Sequence, residues 1–72
     1  MSVAEQLRNT REELEISLED AAHTLQISKD ALIALEGNTS IKFARVYLRG
    51  FLKRYALFLG LLPDDVISDF DA

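Results

Sequence analysis

The stretch Ser17-Leu-Glu-Asp-Ala-Ala-His-Thr-Leu-Gln-Ile-Ser-Lys-Asp-Ala-Leu-Ile-Ala-Leu-Glu36 holds two short helical patterns with almost nothing between them. Ser17 reads as an N-cap, because its hydroxyl can take a free N–H of the first turn. Glu19 and Asp20 follow where the helix dipole favours negative charge. Leu18, Ala21, Ala22 and Leu25 fall on one side at helical spacing, and the two alanines let another helix come close. Ser28 is placed to cap a second helix, with Ile27 before it stapled onto Leu32. Leu32 and Leu35 continue the buried stripe, and Gly37 supplies the stop.

The residues left between the two patterns, Gln26-Ile27-Ser28, are enough only for a turn. Two short helices joined in this way make a helix-turn-helix. Ala22, Ile27, Leu32 and Leu35 stand where such a unit needs a small residue, a turn hydrophobe and two core hydrophobes.

Working outward, Ser2-Val-Ala-Glu5 reads as a capping box with Glu5 reaching back to the cap. Val3, Leu7 and Leu14, with Ala4 and Thr10 between, keep a helical period that stops near Glu15. Arg8 and Glu12 form an i,i+4 pair in the weaker orientation, on a solvated face. Downstream, Asn38-Thr39-Ser40 is a polar loop, with Ser40 or Thr39 capping a fourth helix over about 42–59. Pro63 opens a last helix to about residue 70, with Asp64 and Asp65 in its first turn and Val66, Ile67 and Phe70 facing inward. The expectation is an all-α fold: one domain over 1–72, a compact bundle of about five helices, with the helix-turn-helix at about 17–36.

The fourth helix is the most unusual part. With Lys42 and Phe43 it carries five of the eight basic residues and five of the six aromatic ones, and between Arg45 and Leu59 it has no acid. At about 100° per residue its large side chains form two rows. Leu48, Leu52, Tyr55 and Leu59 make one, suited to the core, with the Tyr55 hydroxyl reaching the edge. Tyr47, Phe51, Arg54 and Phe58 make the other. Aromatic rows at helical spacing usually pack inside, so this row is either more core or a face for a partner. Gly50 should cost ~1 kcal/mol against alanine in an exposed helix interior, and a close contact is its expected reason. Arg49, Lys53 and Arg54 are either a solvated basic face or a charged rim that steers an acidic partner. Arg54, lying in the aromatic row, is the best placed of the three.

Composition narrows the function. Seventy-two residues allow one domain. The absence of cysteine excludes disulfides and thiolate metal sites and fits a reducing compartment. No apolar run approaches the ~18 residues that span a bilayer, and the N-terminus lacks a signal-peptide pattern. His23 is the only histidine and reads as an exposed polar residue. There is no metal-ligand spacing, phosphate loop or nucleophile elbow, so neither an enzyme nor a cofactor nor a small-molecule substrate is expected.

The net charge of −4 is unevenly spread: residues 1–36 carry eight acids and three bases, and residues 63–72 carry four acids and no base. A helix-turn-helix that reads DNA offers polar or basic groups from its second helix. Here those positions are Lys29, Asp30, Ile33 and Ala34. Only Lys29 suits the task, and the preceding helix starts with Leu18, Glu19 and Asp20. Because phosphate neutralisation carries most of the affinity, nucleic acid is an unfavoured partner. A DNA-binding regulator using Lys29, Asp30 and Ile33 is the alternative reading.

Leu7-Arg-Asn-Thr-Arg-Glu-Glu-Leu14, Ser17-Leu-Glu-Asp-Ala-Ala22 and Leu35-Glu36 together resemble a Cro/repressor-type helix-turn-helix domain. Val46-Tyr-Leu-Arg-Gly-Phe-Leu-Lys-Arg-Tyr-Ala56, then Leu59-Gly60 and Pro63-Asp-Asp65, closely resemble the cytoplasmic domain of the RodZ family of bacterial cell-shape proteins. The likeness runs over nearly the whole chain. It implies a non-enzymatic adaptor that binds the actin-like MreB filament and links it to the inner membrane, from the cytoplasmic face, in rod-shape maintenance and cell-wall growth. It also implies that two aromatic residues flanking the Arg-Gly pair, Tyr47 and Phe51 here, are central to that contact. Proteins of that family continue into a basic linker, a transmembrane helix and a periplasmic domain, none of which is in residues 1–72. Membrane attachment would therefore come only through a segment outside this chain. Two departures stand out. Gln26 replaces a glycine common in the turn, which asks for backbone accommodation. Phe43-Ala44 stands where the family often carries proline.

Overall fold

A computed structural model describes residues 2–37 and 43–71. Among these residues five helices follow one another: α1 (Val3–Glu13), α2 (Leu18–Leu25), α3 (Lys29–Leu35), α4 (Arg45–Leu59) and α5 (Pro63–Asp71). No strand occurs among the described residues. The fold is the expected all-α bundle, 28 × 23 × 19 Å across.

The first two helices start at the serines expected to cap them. Ser2 Oγ accepts the Glu5 N–H at 3.2 Å and donates to the Glu5 carboxylate at 3.2 Å. Ser17 Oγ accepts the Asp20 N–H at 3.0 Å. Ser28 departs from expectation: its side chain makes no cap bond, and its carbonyl alone takes the Ala31 and Leu32 N–H groups. The fourth helix also starts later than about residue 42. Ala44 is extended, at φ −61° and ψ 136°, and is the N-cap. The proposed caps Thr39 and Ser40, and Lys42, lie outside the described residues.

Three helices end by one device. Glu15, Gln26 and Gly60 take left-handed backbone at φ 58°, 55° and 81°. The next residue, an Ile or Leu, then returns its N–H to a carbonyl five positions back: Ile16 to Arg11, Ile27 to Ala22 and Leu61 to Ala56, at 3.2, 3.1 and 2.9 Å. This closes otherwise unpaired carbonyls and turns an apolar side chain inward. At Gln26 the accommodation expected for a missing glycine is a left-handed residue, its side-chain amide donating to the His23 carbonyl at 2.8 Å. Gly37 is needed for two reasons, since its φ is 99° and a Cβ there would meet Ala4 Cβ at 3.2 Å.

The core joins all five helices: Leu7 of α1, Ala21 of α2, Ile27 of the turn, Ala31, Leu32 and Leu35 of α3, Leu52, Tyr55, Ala56 and Leu59 of α4, and Val66 of α5. Leu48, Phe58, Ile67 and Phe70 are half-buried against it. The first row of α4 is thus the strut of the bundle, and the helix-turn-helix packs on it.

One polar cluster crosses that core. Arg11 donates from Nε and Nη2 to the two oxygens of Glu36, at 2.8 and 3.0 Å, and from Nη1 to the Ile16 carbonyl at 2.9 Å. The Tyr55 hydroxyl donates to the same Glu36 carboxylate. The cluster ties α1, the end of α3 and α4 together, and no buried side-chain polar atom among the described residues lacks a partner.

Candidate functional site

The second row of α4 divides on folding. Tyr47 is 63% exposed, while Phe51 and Phe58 are half-buried against the core. Side chains at one helix face point the same way only over about a turn and a half, because successive fours drift by about 40°. Tyr47 therefore stands clear of the bundle while Phe51, nearer the core row, leans onto it.

The arginines of α4 are engaged within the domain. Arg45 donates to the Phe70 carbonyl near the end of α5, and its guanidinium carbon lies 4.2 Å from the centre of the Phe70 ring. Arg49 Nε meets the Asp71 carboxylate at 3.0 and 3.3 Å. Arg54 donates to the carbonyl of Leu25, the last residue of α2. Cations at helix C-termini complement both the dipole and the free carbonyls there, so Arg45 and Arg54 each cap the end of another helix. Arg49 and Arg54 remain largely exposed in these roles. Lys53 is exposed and makes no ion pair or hydrogen bond among the described residues.

Sequence periodicity passed over a third row. Val46 is 73% exposed and Leu57 60%, and they lie with Gly50 and Lys53 on the side of α4 opposite the core. The close contact expected at Gly50 is absent among the described residues: a Cβ built there has none of their atoms within 4 Å. The signal for this row was available, because Val46, Gly50, Lys53 and Leu57 fall within about 60° of one another on a helix. Val46 and Leu57 belong to neither the core row nor the aromatic row of large side chains.

The helix-turn-helix face has a different character. Lys29 is held by the Glu19 carboxylate of α2, and that hydrogen bond keeps the Glu19 carboxyl below its usual range. Asp30 is exposed and Ile33 and Ala34 are half-buried, so the side expected to face DNA offers one neutralised cation and an acid. Among the described residues no group of His, Cys, Asp or Glu is arranged to hold a metal. No helix there is long and apolar enough to cross a membrane.

Comparison with known proteins agrees with the architecture. An uncharacterized protein of Haemophilus influenzae is 38% identical over 68 residues, covering 92% of this chain and 22% of its own length. The chain thus spans less than a quarter of that relative. No solved structure matches. The sequence profile of a helix-turn-helix domain family matches residues 6–66, from α1 into α5 and across the whole motif. On that match the chain belongs to this helix-turn-helix domain family.

Proposed function

We propose that the domain is a non-enzymatic adaptor that binds an actin-like filament protein of the MreB type through the outer side of α4. In a longer parent chain it links that filament to the inner membrane, at its cytoplasmic face, during rod-shape maintenance and cell-wall growth. The observation that carries this reading is Tyr47, a large aromatic left 63% exposed on a helix without acids. Exposed aromatics beside cations are the usual anchors of protein contacts. The likeness of Val46–Ala56 to the RodZ family supports the same helix and the same partner. Phe51 backs Tyr47 from the core side, Lys53 supplies a cation with no partner among the described residues, and Arg54 adds positive charge at the margin, where Arg49 stands paired with Asp71.

Co-sedimentation with polymerised MreB-type protein tests the reading. Tyr47→Ala, and Tyr47→Ala combined with Phe51→Ala, should weaken binding about thirtyfold or more if these are anchors worth ~2 kcal/mol. Undiminished binding by a folded double variant would remove α4 as the site.

Membership of a helix-turn-helix family favours a second reading, a DNA-binding regulator using Lys29, Asp30 and Ile33. The Lys29–Glu19 pair weighs against it, since a cation already neutralised releases few counterions from DNA. A DNA titration whose affinity falls steeply with salt would restore that reading.

A further inference from the structure

The geometry points to a hole centred on Gly50 that accepts one apolar side chain from an acidic helix of the partner. On a helix surface the neighbours of residue 50 are those three and four positions away, Val46, Tyr47, Lys53 and Arg54. All four are exposed, and Gly50 contributes no side chain between them. The missing side chain leaves a shallow gap in that surface, flanked by Val46 and Tyr47 on one side and by Lys53 and Arg54 on the other. Exposed Leu57, two turns on, extends the apolar strip along the axis. A knob from a facing helix fits a hole bounded by four such residues, and a glycine floor lets it enter deepest. No contact among the described residues accounts for Gly50, so nothing there offsets its helix-weakening effect.

Charge selects the occupant. Lys53 has no partner among the described residues, and Arg54, exposed beside it, keeps its charge while donating to the neutral Leu25 carbonyl. A two-fold pairing of α4 with a second copy would set these cations against themselves. The acidic α5 of a second copy brings the right charge but no knob, since its exposed positions are Asp64, Asp65, Ser68, Asp69 and Asp71. What fits is a helix of another protein, with an apolar residue flanked by carboxylates.

This inference rests on the reading of α4 as the binding side, and the experiment separates the two. Gly50→Ala, Gly50→Leu, Lys53→Glu and Tyr47→Ala are compared with the unaltered chain by thermal unfolding and by co-sedimentation with polymerised MreB-type protein. Gly50→Ala should raise Tm by about 5 °C, because alanine favours the helix and its methyl meets open space. It should nevertheless weaken filament binding about tenfold, and Gly50→Leu more. Lys53→Glu should weaken binding and flatten its salt dependence. Unchanged affinity in both Gly50 variants, with Tyr47→Ala impaired, would overturn the hole and leave the α4 reading standing. Binding insensitive to Tyr47→Ala as well, or no binding by the unaltered chain, would overturn both.

Discussion

Tyr55 donates its hydroxyl proton to Glu36, a carboxylate already gripped at both oxygens by Arg11. The three residues come from α4, the end of α3 and α1, so a single carboxylate sets how α4 sits on the helix-turn-helix. Arg11 and Glu36 are largely withdrawn from water, and removing one member of such a pair leaves an uncompensated charge. Glu36→Ala should destabilise the domain by roughly 3 kcal/mol in urea denaturation. Tyr55→Phe, which leaves the ion pair intact, should cost only about 1 kcal/mol. Equal losses in the two variants would mean that the carboxylate is not the hub.

The same contact makes stability depend on pH at the alkaline end. Burial, and then the bond to Glu36, raise the Tyr55 hydroxyl well above the ordinary tyrosine value. The unfolded chain releases this proton near pH ~10, whereas the native state keeps it. Its contribution is therefore complete below about pH 10 and declines as pH rises further, by up to ~1.4 kcal/mol per pH unit. Lysines titrate in the same range, so the measurement is a difference. Plotted against pH above about 10, the stability of the unaltered chain should fall more steeply than that of Tyr55→Phe.

Much of this fold was legible because it is written locally. Ser2, Ser17, Gly37, Gly60 and Pro63 mark helix ends, and the apolar period between them marks the core. What escaped was either long-range or disguised. Arg11, Glu36 and Tyr55 are separated along the chain by 25 and 19 residues, and nothing in any one segment announces their meeting. Arg49, Lys53 and Arg54 read as a basic face or a charged rim, but once the helices pack Arg49 reaches Asp71 and Arg54 the Leu25 carbonyl, leaving Lys53 apart from them. The first helix does stop near Glu15, as its apolar period indicates, but by an unexpected device: Glu15 does the work of a C-terminal glycine with a residue that resists left-handed backbone. Glu15→Gly should for that reason raise stability by about 0.5–1 kcal/mol, the relief of backbone strain exceeding the added freedom of the unfolded chain. A fall in the denaturation midpoint would contradict this.

Tyr47 and Phe51 were assigned to one working face, yet they meet different surroundings, and their substitutions should separate accordingly. Tyr47 touches little of its own domain, so Tyr47→Ala should change stability by no more than about 0.5 kcal/mol. Phe51 is packed against the core, and Phe51→Ala removes that packing, which should cost about 2 kcal/mol. A lost filament contact in Phe51→Ala can therefore arise from a displaced α4 as easily as from a missing anchor, whereas in Tyr47→Ala it cannot. Phe51→Leu keeps most of the buried volume while removing the ring. If Phe51 acts mainly as the inner support of Tyr47, Phe51→Leu should retain both fold and filament binding while Tyr47→Ala retains only the fold. Loss of binding in Phe51→Leu at unchanged stability would instead make its ring a direct contact.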